Sequence, residues 1–98
     1  MNRDFLNFLG LANRAGGLIT GTELVLNGVK RNKVKMVIVD YSISEASYKK
    51  IKDKCQHYGV QLVKTPQDIK LGSSIGSENR MVIGVINENF LRGLRDKL

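Results

Sequence analysis

With 98 residues and an apolar share of 42%, the chain is expected to form one domain, 1–98, around one core. Sixteen Lys and Arg against nine Asp and Glu give a formal net charge of +7 and a pI near 9.8, which points to an anionic partner, nucleic acid first. No apolar run approaches the roughly 20 residues a bilayer requires, Asn2, Arg3, Asp4 and Asn7 interrupt any signal-peptide core, and the single Cys55 builds neither a disulfide framework nor a zinc module, so a cytoplasmic protein without membrane partners is expected.

In chain order, Phe5, Leu6, Phe8, Leu9 and Ala12 recur at helical spacing and predict an amphipathic helix from about Asn2 to Arg14, closed by Gly16 and Gly17. Leu18 and Ile19 follow as a very short strand. Thr20, with Glu23 three residues on, matches a capping box, so a second helix is expected from Thr22 to about Arg31, with Val25 and Val29 inward and Asn32 as its carboxyl-terminal cap. Met36-Val-Ile-Val39 is too short for a buried helix and reads as a central strand covered on both faces.

Ser42 with Glu45 is a second capping-box signature. It opens a helix whose inner face carries Tyr48, Ile51, Cys55 and Tyr58, whose outer faces carry Lys49, Lys50, Lys52 and Lys54, and which Gly59 stops. Val60-Gln-Leu-Val63 is a third strand. Thr65-Pro66-Gln67-Asp68 supplies a cap, a first-turn proline and an acid for a short fourth helix ending at Gly72 or Gly76. Met81-Val-Ile-Gly-Val-Ile86 is the last strand, and Asn87 caps a final helix with Phe90, Leu91, Leu94 and Leu98 inward. The order α-β-α-β-α-β-α-β-α implies an α/β fold, a three-layer α/β/α sandwich around a four-stranded mixed, mostly parallel sheet.

Loops at one end of such a sheet form the candidate site: the start of the second helix, the segment after Val39, and the segment after the fourth helix. Glu23 has two readings here, a capping residue or a ligand contact. Lys30, Arg31, Lys33 and Lys35 read either as cations suited to a helix end or as a phosphate-binding cluster, whereas the lysines of the third helix read as its solvated face and stay outside the site. Gly72-Ser-Ser-Ile-Gly76 lacks a nucleotide-binding Gly-x-x-x-x-Gly-Lys pattern. One histidine, His57, one cysteine and no paired acids offer no nucleophile, acid–base pair or metal site, so no enzyme activity, no cofactor and no small-molecule substrate are expected.

Gly10-Leu-Ala-Asn-Arg-Ala-Gly-Gly-Leu-Ile-Thr-Gly-Thr-Glu23, then Lys30 to Val39, then Leu71-Gly-Ser-Ser-Ile-Gly76 before the last strand, resemble the L-seven-Ae superfamily of kink-turn-binding ribosomal proteins, with its bacterial YlxQ-like branch the most similar. The resemblance covers nearly the whole chain. It implies a monomeric module that binds structured RNA, with the ribosome as a possible setting. Carried over by position, the RNA-binding residues it implies are Gly21, Thr22, Glu23, Leu24 and Asn27, with Lys30 and Arg31 further along the helix. A second group falls near Asp40 to Ser42, and a third on Ile75, Gly76, Ser77, Glu78, Asn79 and Arg80. Arg14, just before the double glycine, is a further phosphate candidate. Where the superfamily typically has its guanine-reading pair, this chain has Glu23 and Leu24, and Asn27 stands in place of a lysine. Two other readings follow: a protein-interaction adaptor without specific RNA readout, or a substrate-recognition subunit for a separate RNA-modifying enzyme.

Overall fold

In the computed structural model, residues 3–67, 71 and 81–98 are described. The elements are α1 (Arg3–Arg14), β1 (Leu18–Thr20), α2 (Thr22–Lys30), β2 (Met36–Val39), α3 (Glu45–Tyr58), β3 (Gln61–Lys64), β4 (Val82–Val85) and α4 (Glu88–Asp96). The short helix expected after Pro66 lies outside the described residues except for Leu71, which is helical and buried.

The four strands form one mixed sheet in the order β1-β4-β2-β3. β2 and β3 pair in parallel, Met36 opposite Gln61, but β4 runs antiparallel to both β1 and β2, Leu18 opposite Val85 and Met36 opposite Val85. The expectation of a mostly parallel sheet is therefore corrected. A helix carries the chain back across the sheet between β1 and β2, and again between β2 and β3, so each next strand starts from the same end. β4 instead enters at the end where β3 finished, and it fills the gap between β1 and β2 in the opposite direction.

Strand alternation divides the core in two. On one face Met36 and Ile38 of β2 and Ile83 and Val85 of β4 pack with Phe5, Leu9 and Ala12 of α1 and Leu91 and Leu94 of α4. On the other, Val37, Val39 and Val82 pack with Val25, Leu26 and Val29 of α2 and Ile51 and Cys55 of α3. All four residues of β2 and of β4 are buried, as continuous apolar strands between two helix layers should be. At β4 the α2 layer comes close, because a β-carbon on Gly84 would meet Val34 Cγ2 at 2.9 Å and Ile19 Cγ1 at 3.3 Å.

Asn87 caps α4 as expected, accepting from the amides of Asn89 and Phe90, and Gly59 ends α3 in the left-handed conformation at φ 68°. Four local expectations shift. Ser44, not Ser42, caps α3, because the Ser42 hydroxyl is spent on Asp40. β3 is displaced one residue onward, and Met81 and Ile86 lie outside β4 with 43% and 37% of their surface exposed. Tyr58 and Leu98 are exposed rather than inward, Tyr58 as the last residue of α3 and Leu98 two residues past the end of α4.

Candidate nucleic-acid interface

One end of the sheet gathers the carboxyl end of β1, the start of α2, the carboxyl end of β2 and the entry to β4. Gly21 makes the turn from β1 into α2 at φ 100°, ψ 140°, a conformation open to glycine, while its amide donates to the Val82 carbonyl at 3.0 Å and its carbonyl accepts from Val25 at 3.0 Å. Gly21 is therefore the cap residue, and no side chain caps this helix. The Thr20–Glu23 capping box is corrected: Thr20 remains in β1, opposite Ile83, too early in the chain to reach the first-turn amides. An uncapped first turn directs its amides outward at the positive end of the helix dipole, a disposition suited to phosphate.

Glu23 projects from that turn with 91% of its side chain exposed, and its Oε1 lies 3.9 Å from Lys50 Nζ of α3. Lys50, expected on the solvated face of α3, is 60% exposed there and yet comes within reach of Glu23. Packing of α2 beside α3 on the same sheet face brings the two together across 27 residues of sequence. An exposed pair of this kind contributes little to stability, so either partner is free to exchange for a ligand.

The segment after β2 is built around Asp40, only 6% exposed. Its Oδ1 accepts from the Leu71 amide at 2.8 Å, and its Oδ2 accepts from the Ser42 amide at 3.1 Å and from the Ser42 hydroxyl at 2.6 Å. Its own amide donates to Met81 O at 2.8 Å, and the Tyr41 amide donates to Thr65 Oγ1 at 3.0 Å. Asp40 thus positions the loops and is not itself presented to a ligand; Tyr41 and Ser42 are the accessible residues of this group.

The remaining candidates do not all converge. Lys30 and Arg31 lie at the far end of α2, about 12 Å along the helix axis from Thr22 at 1.5 Å per residue. Arg14 ends α1 beside the start of β1, where Ile86 donates to Gly17 O at 3.0 Å, so it occupies the opposite end of the sheet from Gly21. Ile75, Gly76, Ser77, Glu78, Asn79 and Arg80 lie outside the described residues. Lys49 and Lys52 are exposed on α3 as expected.

A second feature was not singled out in the sequence. Leu24, Asn27 and Arg31 form one stripe along α2, and they line a groove of about 550 Å³ together with the apolar Ile19 and Ile86, the cations Lys33 and Lys35, and Gly28. Its walls come from four separate segments, which no local pattern unites. The signal available in the sequence was Leu24, an apolar residue on an otherwise polar helix face, which proves 63% exposed.

Burial raises the Cys55 thiol from 9.0 to about 11, the mark of an inert packing residue. Among the described residues no group of three or more His, Cys, Asp or Glu side chains is placed to hold a metal ion, and no helix is long and apolar enough to cross a membrane.

The sequence matches the ribosomal protein L7Ae/L30e/S12e/Gadd45 family over residues 4–92. The chain belongs to this family. Within it, the chain is 35% identical over 91 residues to the RNA-binding protein YlxQ of Bacillus subtilis (strain 168), covering 93% of this chain and 91% of that protein. It is equally similar to the RNA-binding protein YlxQ of Enterococcus faecium, covering 93% and 87%. A solved structure of a protein of unknown function from Bacillus halodurans C superposes with a TM-score of 0.89 at 36% identity, over 97% of this chain and 96% of that one. The Giardia lamblia 15.5kD RNA binding protein superposes with a TM-score of 0.78 over 98% of this chain and 86% of its own; at 16% identity it shares the fold. The L7Ae-family sandwich is thus the architecture on which the sheet-end loops and the α2 groove are mounted.

Proposed function

We propose that this L7Ae-family protein is a non-enzymatic RNA-binding module that recognises structured, kink-turn-like RNA by shape and backbone contacts, in the cytoplasm and in association with the ribosome. The observation that carries the reading is the 35% identity, across nearly the whole chain, to proteins named as RNA-binding. The uncapped start of α2 at Gly21 and Thr22 supplies amides for phosphate, Lys50 supplies a cation beside them, and Glu23 supplies acceptors for the N1 and N2 protons of an exposed guanine. On binding, Lys50 moves from Glu23 to the RNA backbone. Asn27 and Lys30 extend this face along α2, and by the resemblance residues 75–80 contribute further RNA contacts.

The test is a titration of the purified protein against a kink-turn RNA and a matched plain duplex at two salt concentrations. A kink-turn preference that persists at the higher salt is expected. Glu23→Ala should lower that preference by roughly 5- to 100-fold, the cost of a lost base contact, while leaving duplex binding alone. Lys50→Ala should weaken both RNAs and reduce the salt slope by about 0.9. Equal, salt-sensitive binding of both RNAs would overturn the shape reading, and no binding at low salt would favour an adaptor that acts through protein contacts.

A further inference from the structure

We infer that the groove beside α2 is a second RNA subsite that takes an unpaired stretch of strand, with phosphates along its cationic edge and a base against its apolar floor. The inference rests on the RNA-binding reading above and extends it from Leu24 and Arg31, which the resemblance already places on the RNA face, to Ile19, Lys33, Lys35 and Ile86.

The chemistry of the walls argues for this occupant. Three aliphatic side chains, Ile19, Leu24 and Ile86, form the floor, and Leu24 and Ile86 keep 63% and 37% of their surface open to solvent. Three cations, Arg31, Lys33 and Lys35, also line the groove, and among the described residues no acidic side chain does. Lys33 and Lys35 flank Val34, which is fully buried, while Lys33 is exposed and Lys35 partly so. The geometry of that segment is rigid: the Lys35 amide donates to Val85 O at 2.7 Å, the Lys33 and Val34 amides both donate to Gly28 O, and Lys35 Nζ donates to Asn32 O at 3.2 Å. A repeated positive edge over a concave apolar floor complements a chain that carries one phosphate and one flat, weakly polar base face per unit. A duplex, whose bases are stacked and paired, offers the edge its phosphates and the floor nothing.

The experiment follows the methyl resonances of Ile19, Leu24 and Ile86, and the amides of Gly21 to Glu23, in isotope-labelled full-length protein. The probes are a single-stranded dodecauridine RNA, a kink-turn hairpin without overhangs, and an acidic amphipathic peptide. Dodecauridine is expected to shift the three groove methyls saturably. The Lys33→Ser/Lys35→Ser variant should bind it at least tenfold more weakly, with a salt slope lower by about 1.4, two single-strand phosphate contacts at about 0.7 each. Lys49→Ser/Lys52→Ser removes the same charge from α3 and should change affinity by less than twofold. Equal losses from both double variants would overturn the subsite as non-specific attraction. Hairpin-induced shifts at Gly21 to Glu23, with groove methyls unmoved by dodecauridine, would overturn the groove inference and leave the functional reading standing. Groove shifts from the peptide alone would overturn it in favour of a protein partner, and failure of both RNAs to bind would overturn both readings.

Discussion

Cys55 shows how one buried side chain ties pH to stability. At 1% exposure, packed with Ile51, Val37 and Val39, its thiol stays protonated to about pH 11, whereas the unfolded chain releases the proton near 9.0. Above the lower value the unfolded state binds fewer protons than the folded one, so stability falls as pH rises through this window. At 1.36 kcal/mol per unit the loss by pH 11 is on the order of 2 kcal/mol. Denaturant titrations of the wild type and of Cys55→Ala at pH 8 and pH 11 should show the difference between them shrinking by about that amount. A constant difference would mean the thiol is not desolvated. Glu23 illustrates the opposite limit: side-chain identity and spacing suggested a cap, but an exposed residue takes its role from neighbours, and Lys50 is visible only once α2 and α3 are packed.

Among the helix starts whose caps are described, those of α3 and α4 are closed by a side chain and that of α2 is open. The Asn87 oxygen accepts from Asn89 N at 2.9 Å and from Phe90 N at 3.4 Å, and Ser44 Oγ accepts from Ser47 N at 3.2 Å. Asn87→Ala should cost about 1 kcal/mol, lowering Tm by about 4–8 °C in a domain of this size, as read by thermal unfolding. Thr20→Val should change stability by less than about 0.5 kcal/mol, because Thr20 is a strand residue that caps nothing. A loss from Thr20→Val matching that from Asn87→Ala would restore the capping box. The open start of α2 leaves its first-turn amides available at the end of the sheet where the loops gather.

At the scale of the whole molecule, Asp40 joins segments far apart in sequence. Through Leu71, Ser42 and Met81 it fastens the end of β2 to the chain that leads toward β4, so the sheet-end loops share one anchor. Asp40→Ala removes an acceptor from three donors and leaves the buried Leu71 amide without it, a loss of about 3 kcal/mol. Tm should fall by roughly 12–24 °C, and RNA affinity measured well below the new Tm should fall as well, since the loops lose their common tether. Unchanged RNA affinity in a destabilised Asp40→Ala protein would separate the anchor from the interface.

Much of the architecture was legible in sequence because it is written within short windows. The apolar spacing of Phe5, Leu9 and Ala12, the β-branched run ending at Val39, the left-handed stop at Gly59 and the Asn87 cap each depend on residues a few positions apart. Backbone periodicity and local hydrogen bonding suffice to determine them. The family resemblance was legible for the same reason, as contiguous residues around Gly21. Tertiary structure alone decided the direction of β4, the engagement of Asp40, the meeting of Glu23 with Lys50 and the joining of Leu24, Lys35 and Ile86 around one groove. Each of these is a contact between segments separated by many residues, and its existence depends on how the layers pack.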